Sequence, residues 1–541
     1  MTNPESPPQA PCDFNEDALL NREPLRGSPI KFVSPVDYPD LVFALAGPVG
    51  VDIDYIQQSI SDCLKSFDYS TEFIRITEIM QDIKCSKTID CTDMLKEYQS
   101  KIEYANELRR AYRAKDLLAA LTISAISKLR EQIKERDEAT NKSNIQPSRR
   151  KLAWVVRQLK TPEEVRLLRA VYGKQFVLVS IYSSPQRRED FLISKIKIKS
   201  RGTIDNNTSS EGAQRLIERD SKEDNEYGQN LSGTFCLGDI FVDSNNKESA
   251  IVSIDRFLNA FFGSNEISPT RDEYGMYLAK TASLRSCDLS RQVGAAIFSK
   301  TGEIISLGSN EVPKAGGGTY WTGDNADSRD IRLGHDPNEI NKVEIFAEII
   351  SRLLEDKLLS NDLLNKDAAS IVTILLSKNE GKRYKDLRVM DIIEFGRIIH
   401  AEMSAICDAA RNGRAIIGAT LFCTTFPCHL CAKHIVASGI GRIVYLEPYP
   451  KSYAKKLHSD SIQVEDHSDS EKVSFEPFIG ISPSRYRELF EGGRRKDPFG
   501  EALKWKNDPR KPVIDVVVPP HFEAEKLVIA QLGKLIVSGT G

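Results

Sequence analysis

Two hydrophobic patterns alternate through the first half of the chain. Unbroken apolar runs, which suit strands buried on both faces, are separated by segments whose apolar residues recur every three or four positions, as on a half-buried helix. Leu41 to Gly47 (LVFALAG) is the first apolar run, followed by the turn Gly47-Pro48-Val49-Gly50 and an amphipathic segment from Ile53 to Phe67. Ser70 to Ile79 reads as the next strand, 101–133 as one long helix and Lys134 to Arg150 as a polar loop. Lys151 to Leu159 and Lys174 to Ser183 read as two more strands. Between them, Thr161 caps a helix with acids in its first turn that closes at Gly173. The polar stretch 201–233 reads as a surface excursion, Gly238 to Ser244 as a last strand and Ser253 to Phe262 as a helix. This order predicts an α/β domain around a parallel sheet.

The second half changes rhythm. A helix is expected over Asp272 to Ser283, then a hairpin of VGAAIFS and EIISLGS around Lys300-Thr301-Gly302. A long insertion, 314–393, is helical in its centre over 338–364. Ala419 to Thr425 and Arg442 to Pro448 are strands, each beside a short helix. The expected architecture is a three-layer α/β/α domain. With two or three domains expected for 541 residues, the division is a flexible tail over 1–33, a parallel-sheet domain over 34–265 and the three-layer domain over 266–541. Charged residues at 28% and hydrophobic ones at 40% are ordinary for a soluble protein. A net charge of −3 argues against dominant nonspecific nucleic-acid binding. No apolar stretch is long enough to span a bilayer, and the polar, proline-rich start has no signal-peptide core. The ten scattered cysteines then fit reduced thiols in a cytoplasmic protein.

The chemistry concentrates in the second half. His400-Ala401-Glu402 opens one helix, and Pro427-Cys428-His429-Leu430-Cys431 opens another. This is the H-x-E with P-C-x-x-C pattern of zinc-dependent nucleobase deaminases. His400, Cys428 and Cys431 supply three zinc ligands and leave the fourth tetrahedral position for water. Zinc makes that water acidic enough to react near neutral pH. Glu402 is the proton carrier, not a ligand. At a helix start the positive dipole end favours thiolate. The rival is a closed structural zinc site, which needs a fourth protein ligand, with His429 and His434 as the nearby candidates.

Further segments carry a family resemblance. Arg285-Ser286-Cys287, Arg291-Gln292-Val293-Gly294-Ala295, Gly308-Ser309-Asn310-Glu311-Val312-Pro313 and Tyr445 to Ser452 resemble the deoxycytidylate deaminases. The resemblance implies a sugar contact for Asn310 and a phosphate contact for Lys451. The whole layout resembles the bacterial anti-phage dCTP deaminases, which join a P-loop kinase-like domain to a deaminase domain. That implies deamination of dCTP, and of dCMP, to dUTP and dUMP, so that phage replication is starved of dCTP. It also implies, as in some members, an inhibitory small RNA as partner, and the resemblance to the deoxycytidylate deaminases implies a homo-oligomer. Gly47 and Gly50 occupy the place of the phosphate-binding loop. In the G-x-x-x-x-G-K-[ST] register, however, Asp52, Ile53 and Asp54 replace the second glycine, the lysine and the hydroxyl residue. A tight turn or a regulatory role is the better expectation for that loop than phosphoryl transfer. The alternative functions are a housekeeping dCMP deaminase and a deaminase that edits cytosine or adenine in polynucleotides.

Overall fold

The computed structural model describes residues 37–139, 151–199, 206–221, 223, 225–377, 384, 387–449, 452–465, 468–507, 509–514, 516 and 520–539. The tail expected over 1–33 lies outside them, as does most of the loop expected at 134–150.

Among the described residues, twelve strands form two six-stranded sheets. Those of the first half are Leu41–Ala46 (β1), Ser70–Arg75 (β2), Leu152–Arg157 (β3), Phe176–Tyr182 (β4) and Ile240–Asp243 (β5). In the second half they are Gly294–Phe298 (β6), Ile304–Ser309 (β7), Thr420–Thr425 (β8), Arg442–Glu447 (β9), Ile462–Val464 (β10), Val473–Pro477 (β11) and Gly480–Ile481 (β12). The first sheet runs β12-β5-β4-β1-β3-β2. β1 to β5 are mutually parallel, with β1 between β3 and β4. Every residue of β1 is buried, which is why its sequence is apolar throughout rather than alternating. Phe43 and Leu45 join one core with Ile56, Ile60, Phe257 and Phe261. Val42 and Ala44 join the other with Ile123, Ile126, Val165 and Leu168. Each large apolar side chain so buried contributes about 1.5–3 kcal/mol.

Helices Ile53–Lys65 and Lys247–Phe261 cover one face of this sheet, and Leu117–Ala139 and Pro162–Tyr172 the other. The last of these has the expected Thr161 cap, completed by Glu164 into a capping box. Several elements differ from expectation. β2 stops at Arg75, where the chain turns into the short helix Ile76–Ile79. The long helix is two, Met94–Ala111 and Leu117–Ala139, parted at Arg113, which has φ +51°. No glycine or proline marks that break, so the helical period reads straight through it. The polar stretch 201–233 holds a helix, Asn206–Ser221, that buries Ser209 and Asp220 beside Ala213 and Leu216. In the insertion the central helix ends at Glu355, and Ala368–Leu376 packs back on it around Phe346, Ile350, Ile371 and Val372.

The second sheet runs β10-β11-β9-β8-β6-β7. β6 pairs antiparallel with β7, as the expected hairpin, and with β8. The pairs β8–β9, β9–β11 and β11–β10 are parallel. Helix Arg271–Ser283 packs on one face through Met276 and Ala279, and helices Ala401–Arg411 and His429–Ala437 on the other through Ala401, Ala405, Cys431 and Ile435. These are the three layers. Gly294 and Gly308 sit in neighbouring strands, Gly294 against helix Arg271–Ser283 and Gly308 against helix Ala401–Arg411. A Cβ on Gly294 would overlap Ala279 O, and one on Gly308 would overlap Ala401 O and Ala405 N.

The two sheets share material. Phe241 of β5 lies in the same apolar cluster as Phe422 and Val444 of the second sheet. After β11 the chain returns to the first sheet, where β12 pairs antiparallel with β5. Arg485, nearly buried, then pairs with Asp239 at 3.2 Å. Helix Pro520–Gly539 packs on Leu117–Ala139, and its Glu525 bonds Arg130 at 2.7 Å.

Candidate active site

Two helix starts meet in the second domain. His400 is the N-cap of helix Ala401–Arg411, and its own side chain makes no cap bond, which leaves it free to face inward. The residue before it, Ile399, exchanges backbone hydrogen bonds with Glu311, so the segment after β7 fixes where this helix begins. Cys428 is the N-cap of helix His429–Ala437, directly after β8, and its sulfur accepts from the Cys431 N–H at 3.4 Å. His400 Nδ1 lies 3.3 Å from Cys428 Sγ and 3.4 Å from Cys431 Sγ. Zn–N bonds of about 2.0–2.1 Å and Zn–S bonds of about 2.3 Å at a tetrahedral centre imply N···S separations of roughly 3.5 Å. The donor set therefore fits zinc. Among the described residues these three form the only such cluster of three or more candidate ligands. His434 is exposed, and neither it nor His429 belongs to the cluster, so neither closes the tetrahedron. Three protein ligands with one position open are the arrangement of a catalytic zinc, not a structural one.

Glu402 sits in the first turn of its helix and is 4% exposed. Burial raises its carboxyl above the ordinary carboxylate range, and the neighbouring His400 opposes that shift. Without metal, hydrogen bonding to Cys431 and then to His400 lowers the Cys428 thiol to about 4. His400 is pushed up to about 9, chiefly by its bond to Cys428. Cys431 is pushed up by its bond to Cys428 and by burial, and it keeps its proton. The metal-free centre is thus a thiolate–imidazolium pair beside a thiol. Cys423 of β8, buried against Glu402, has no place in the motif; only its inward position on an apolar strand could have singled it out.

Asn310 lies at the end of β7, 4% exposed. Its oxygen accepts from Val293 N–H at 2.7 Å, and its amide donates to Asp288 Oδ2 at 2.6 Å and to Arg291 O at 2.9 Å. It clamps the 288–293 loop at the rim of the site. The same loop holds Arg291, whose guanidinium lies 5.0 Å from the Tyr449 ring centroid and whose charge reaches His400. Lys451 lies outside the described residues. Close to it in sequence, Ser452 donates to Pro427 O at 2.8 Å, which ties that turn to the start of the cysteine helix.

The glycine loop of the first sheet is elsewhere and is internally bonded. Gly47 O accepts from Lys160 Nζ at 3.1 Å and from Gln158 Nε2. Val49 N–H donates to Asp220 Oδ2 at 2.7 Å, and Asp220 pairs with Lys160 at 2.6 Å. Gly50 has φ +93° and lies against the Arg188 backbone, where a Cβ would not fit. Both glycines therefore have packing duties in a tight turn.

The fold and the metal cluster together define a zinc-binding deaminase domain. The family model for the cytidine and deoxycytidylate deaminase zinc-binding region matches residues 269–447. The deoxycytidylate deaminase of Enterobacteria phage T2 is 34% identical over 183 residues, covering 33% of this chain and 80% of the relative. That of Enterobacteria phage T4 is 34% identical over 184 residues, covering 33% and 78%. The chain belongs to the deoxycytidylate deaminase family. Among solved structures, the apo dCMP deaminase of cyanophage S-TIM5 is 17% identical, covers 39% of this chain and 99% of its own, and gives a TM-score of 0.21. No described helix is long and apolar enough to cross a membrane.

Proposed function

We propose that the protein hydrolyses the 4-amino group of a free deoxycytidine nucleotide, dCMP or dCTP, giving the uracil nucleotide and ammonia. The observation that carries this is the three-ligand His400–Cys428–Cys431 cluster with Glu402 buried beside it. Zinc held there supplies the Lewis acidity that makes water nucleophilic near neutral pH. Glu402 takes one proton from the water and passes it to the pyrimidine ring nitrogen as the C4–O bond forms, then takes the second from the new C4 hydroxyl and delivers it to the amine as the C4–N bond breaks. Its burial raises the carboxyl, the direction that favours taking up a proton. Asn310, through the loop it clamps, lines the sugar side. Arg291 and Lys451 take the phosphate, where charge-assisted bonds are strong.

In this reading the two halves divide the work. The first half regulates the second and transfers no phosphate, because Ile53 stands where the phosphate-binding lysine belongs and the loop's Val49 amide is already bonded. Depletion of dCTP in a phage-infected cell and restraint by a small RNA follow from the resemblance of the layout to anti-phage dCTP deaminases; a homo-oligomeric assembly follows from the resemblance to the deoxycytidylate deaminases, and a cytoplasmic setting fits cysteines scattered without a disulfide framework. The test is chromatographic: zinc-loaded protein is incubated with dCMP, dCTP, CMP, deoxycytidine and a cytosine-containing oligonucleotide. Conversion of dCMP or dCTP is expected. Conversion of the oligonucleotide alone would replace this reading with polynucleotide editing.

A further inference from the structure

The carboxyl ends of β1 and β4, at the side where open α/β sheets take their ligands, face the second domain across a cavity of ≈ 220 Å³. Pro48, Tyr182 and Arg188 line it from the first half, and Tyr445, Leu446 and Glu465 from the second. The glycine loop beside it cannot be the reading head, because the Asp220 carboxylate already fills the anion position at Val49 N–H and neutralises Lys160. The group left open is Arg188. Its Nε is buried and has no hydrogen-bond partner among the described residues, a costly state for a guanidinium. Glu465, in the same cavity, accepts the Tyr445 hydroxyl at 2.8 Å and is held at φ +58°, a conformation that side chains other than glycine adopt at a cost and that clusters at ligand sites. Arg188 and Glu465 are near enough for their charges to interact, yet among the described residues they form no ion pair.

We propose that this cavity is a second ligand site, distinct from the zinc centre, that receives the base of a guanine nucleotide between Arg188 and Glu465. Guanine offers the O6 and N7 acceptors that a guanidinium reads, together with N–H donors for a carboxylate. Phe235 and Leu446 supply apolar wall for the ring. The cavity opens into a groove of ≈ 1190 Å³ that shares Ser221, Ser232, Leu446 and Pro448 with it. That groove has room for sugar and phosphate and carries Arg169, Lys280 and Arg291. Because Arg291 also stands at the rim of the zinc site, occupancy of the cavity biases the 288–293 loop. This consequence, though not the binding itself, rests on the reading of the first half as a regulator.

The test uses full-length, zinc-loaded protein carrying Glu402→Ala, so that dCMP is bound without turnover. Calorimetric titration with the four deoxynucleoside 5′-monophosphates should show dGMP binding once per chain, with dCMP already saturating. Arg188→Gln and Glu465→Gln should each weaken dGMP by at least about tenfold and leave dCMP binding and zinc content unchanged. Glu465→Gln retains an acceptor for Tyr445, so the pair of variants separates lost recognition from lost folding. Absence of dGMP binding, competition with dCMP, equal binding of all four nucleotides, or indifference to both substitutions would overturn the site. Protein with native Glu402 that binds dGMP here but deaminates no free nucleotide would keep the site and refute the proposed activity. Deamination without dGMP binding would do the reverse.

Discussion

The zinc centre and the glycine loop are built alike and finished differently. Each is a strand that runs into a turn and then a helix start: β8 into Pro427 and Cys428, β1 into Gly47 to Asp52. At the zinc centre the helix-start side chains of His400 and Cys428 point at each other, and among the described residues no carboxylate takes a place in the ligand cluster, Glu402 standing beside it as the proton carrier. At the glycine loop the N-cap Asp52 turns back to accept from its own helix at Tyr55, and Asp220 reaches in to bond Val49. The same local architecture therefore becomes a site or a joint according to whether the chain supplies its own counter-charge.

The largest effect should come from the open side of that comparison. Glu402→Ala should lower the deamination rate by about 10⁴-fold, the upper range for a lost proton carrier, with zinc content unchanged by elemental analysis. Residual turnover near the wild-type rate would remove Glu402 from the mechanism.

Zinc affinity should depend steeply on pH. Metal-free, between about 4 and about 9, Cys428 is already a thiolate while His400 and Cys431 hold protons. Binding as imidazole and two thiolates then releases two protons, so affinity rises with pH by about 100-fold per pH unit. A competition titration against a chelator at pH 6, 7 and 8 reads the slope, and a slope of zero would contradict the thiolate–imidazolium pair.

On the closed side, Asp220→Asn leaves Lys160 unpaired and weakens the bond to Val49. It should cost about 3 kcal/mol of stability, as removal of one partner from a buried ion pair does. It should leave zinc content intact, which thermal or denaturant unfolding and elemental analysis can check. A smaller loss, about 1–3 kcal/mol, is expected for Gly308→Ala, where the new methyl overpacks the strand–helix contact. That substitution also presses on the His400 helix, so zinc retention should fall with it. Retention unchanged despite lower stability would show that the metal cluster tolerates a shifted helix.

The sequence made the ligand set legible because its chemistry requires particular atoms at fixed spacing, and β1 because a strand buried on both faces is apolar throughout. It hid features whose cause lies far away in the chain. The Asn206–Ser221 helix reads as polar surface because what it buries includes Ser209 and Asp220, and Asp220 is explained only by Lys160 and Val49. The apparent single helix is broken at Arg113 without any turn residue to announce it. Asn310 reads as a substrate contact, yet its visible bonds go to Asp288, Arg291 and Val293. Nothing near Gly480 suggests that two residues there pair with Ile240 and Phe241.

That late strand has a consequence in time. A ribosome delivers β5 long before Gly480 and Ile481, and long before the helix that carries Glu525 to Arg130. Until these later segments are made, the first sheet has an unpaired edge at β5 and an uncovered apolar flank, both of which favour association with other chains. Growth of the first half and closure of its sheet are thus separated by the whole translation of the deaminase. A chain shortened at its C-terminus should aggregate through its N-terminal half.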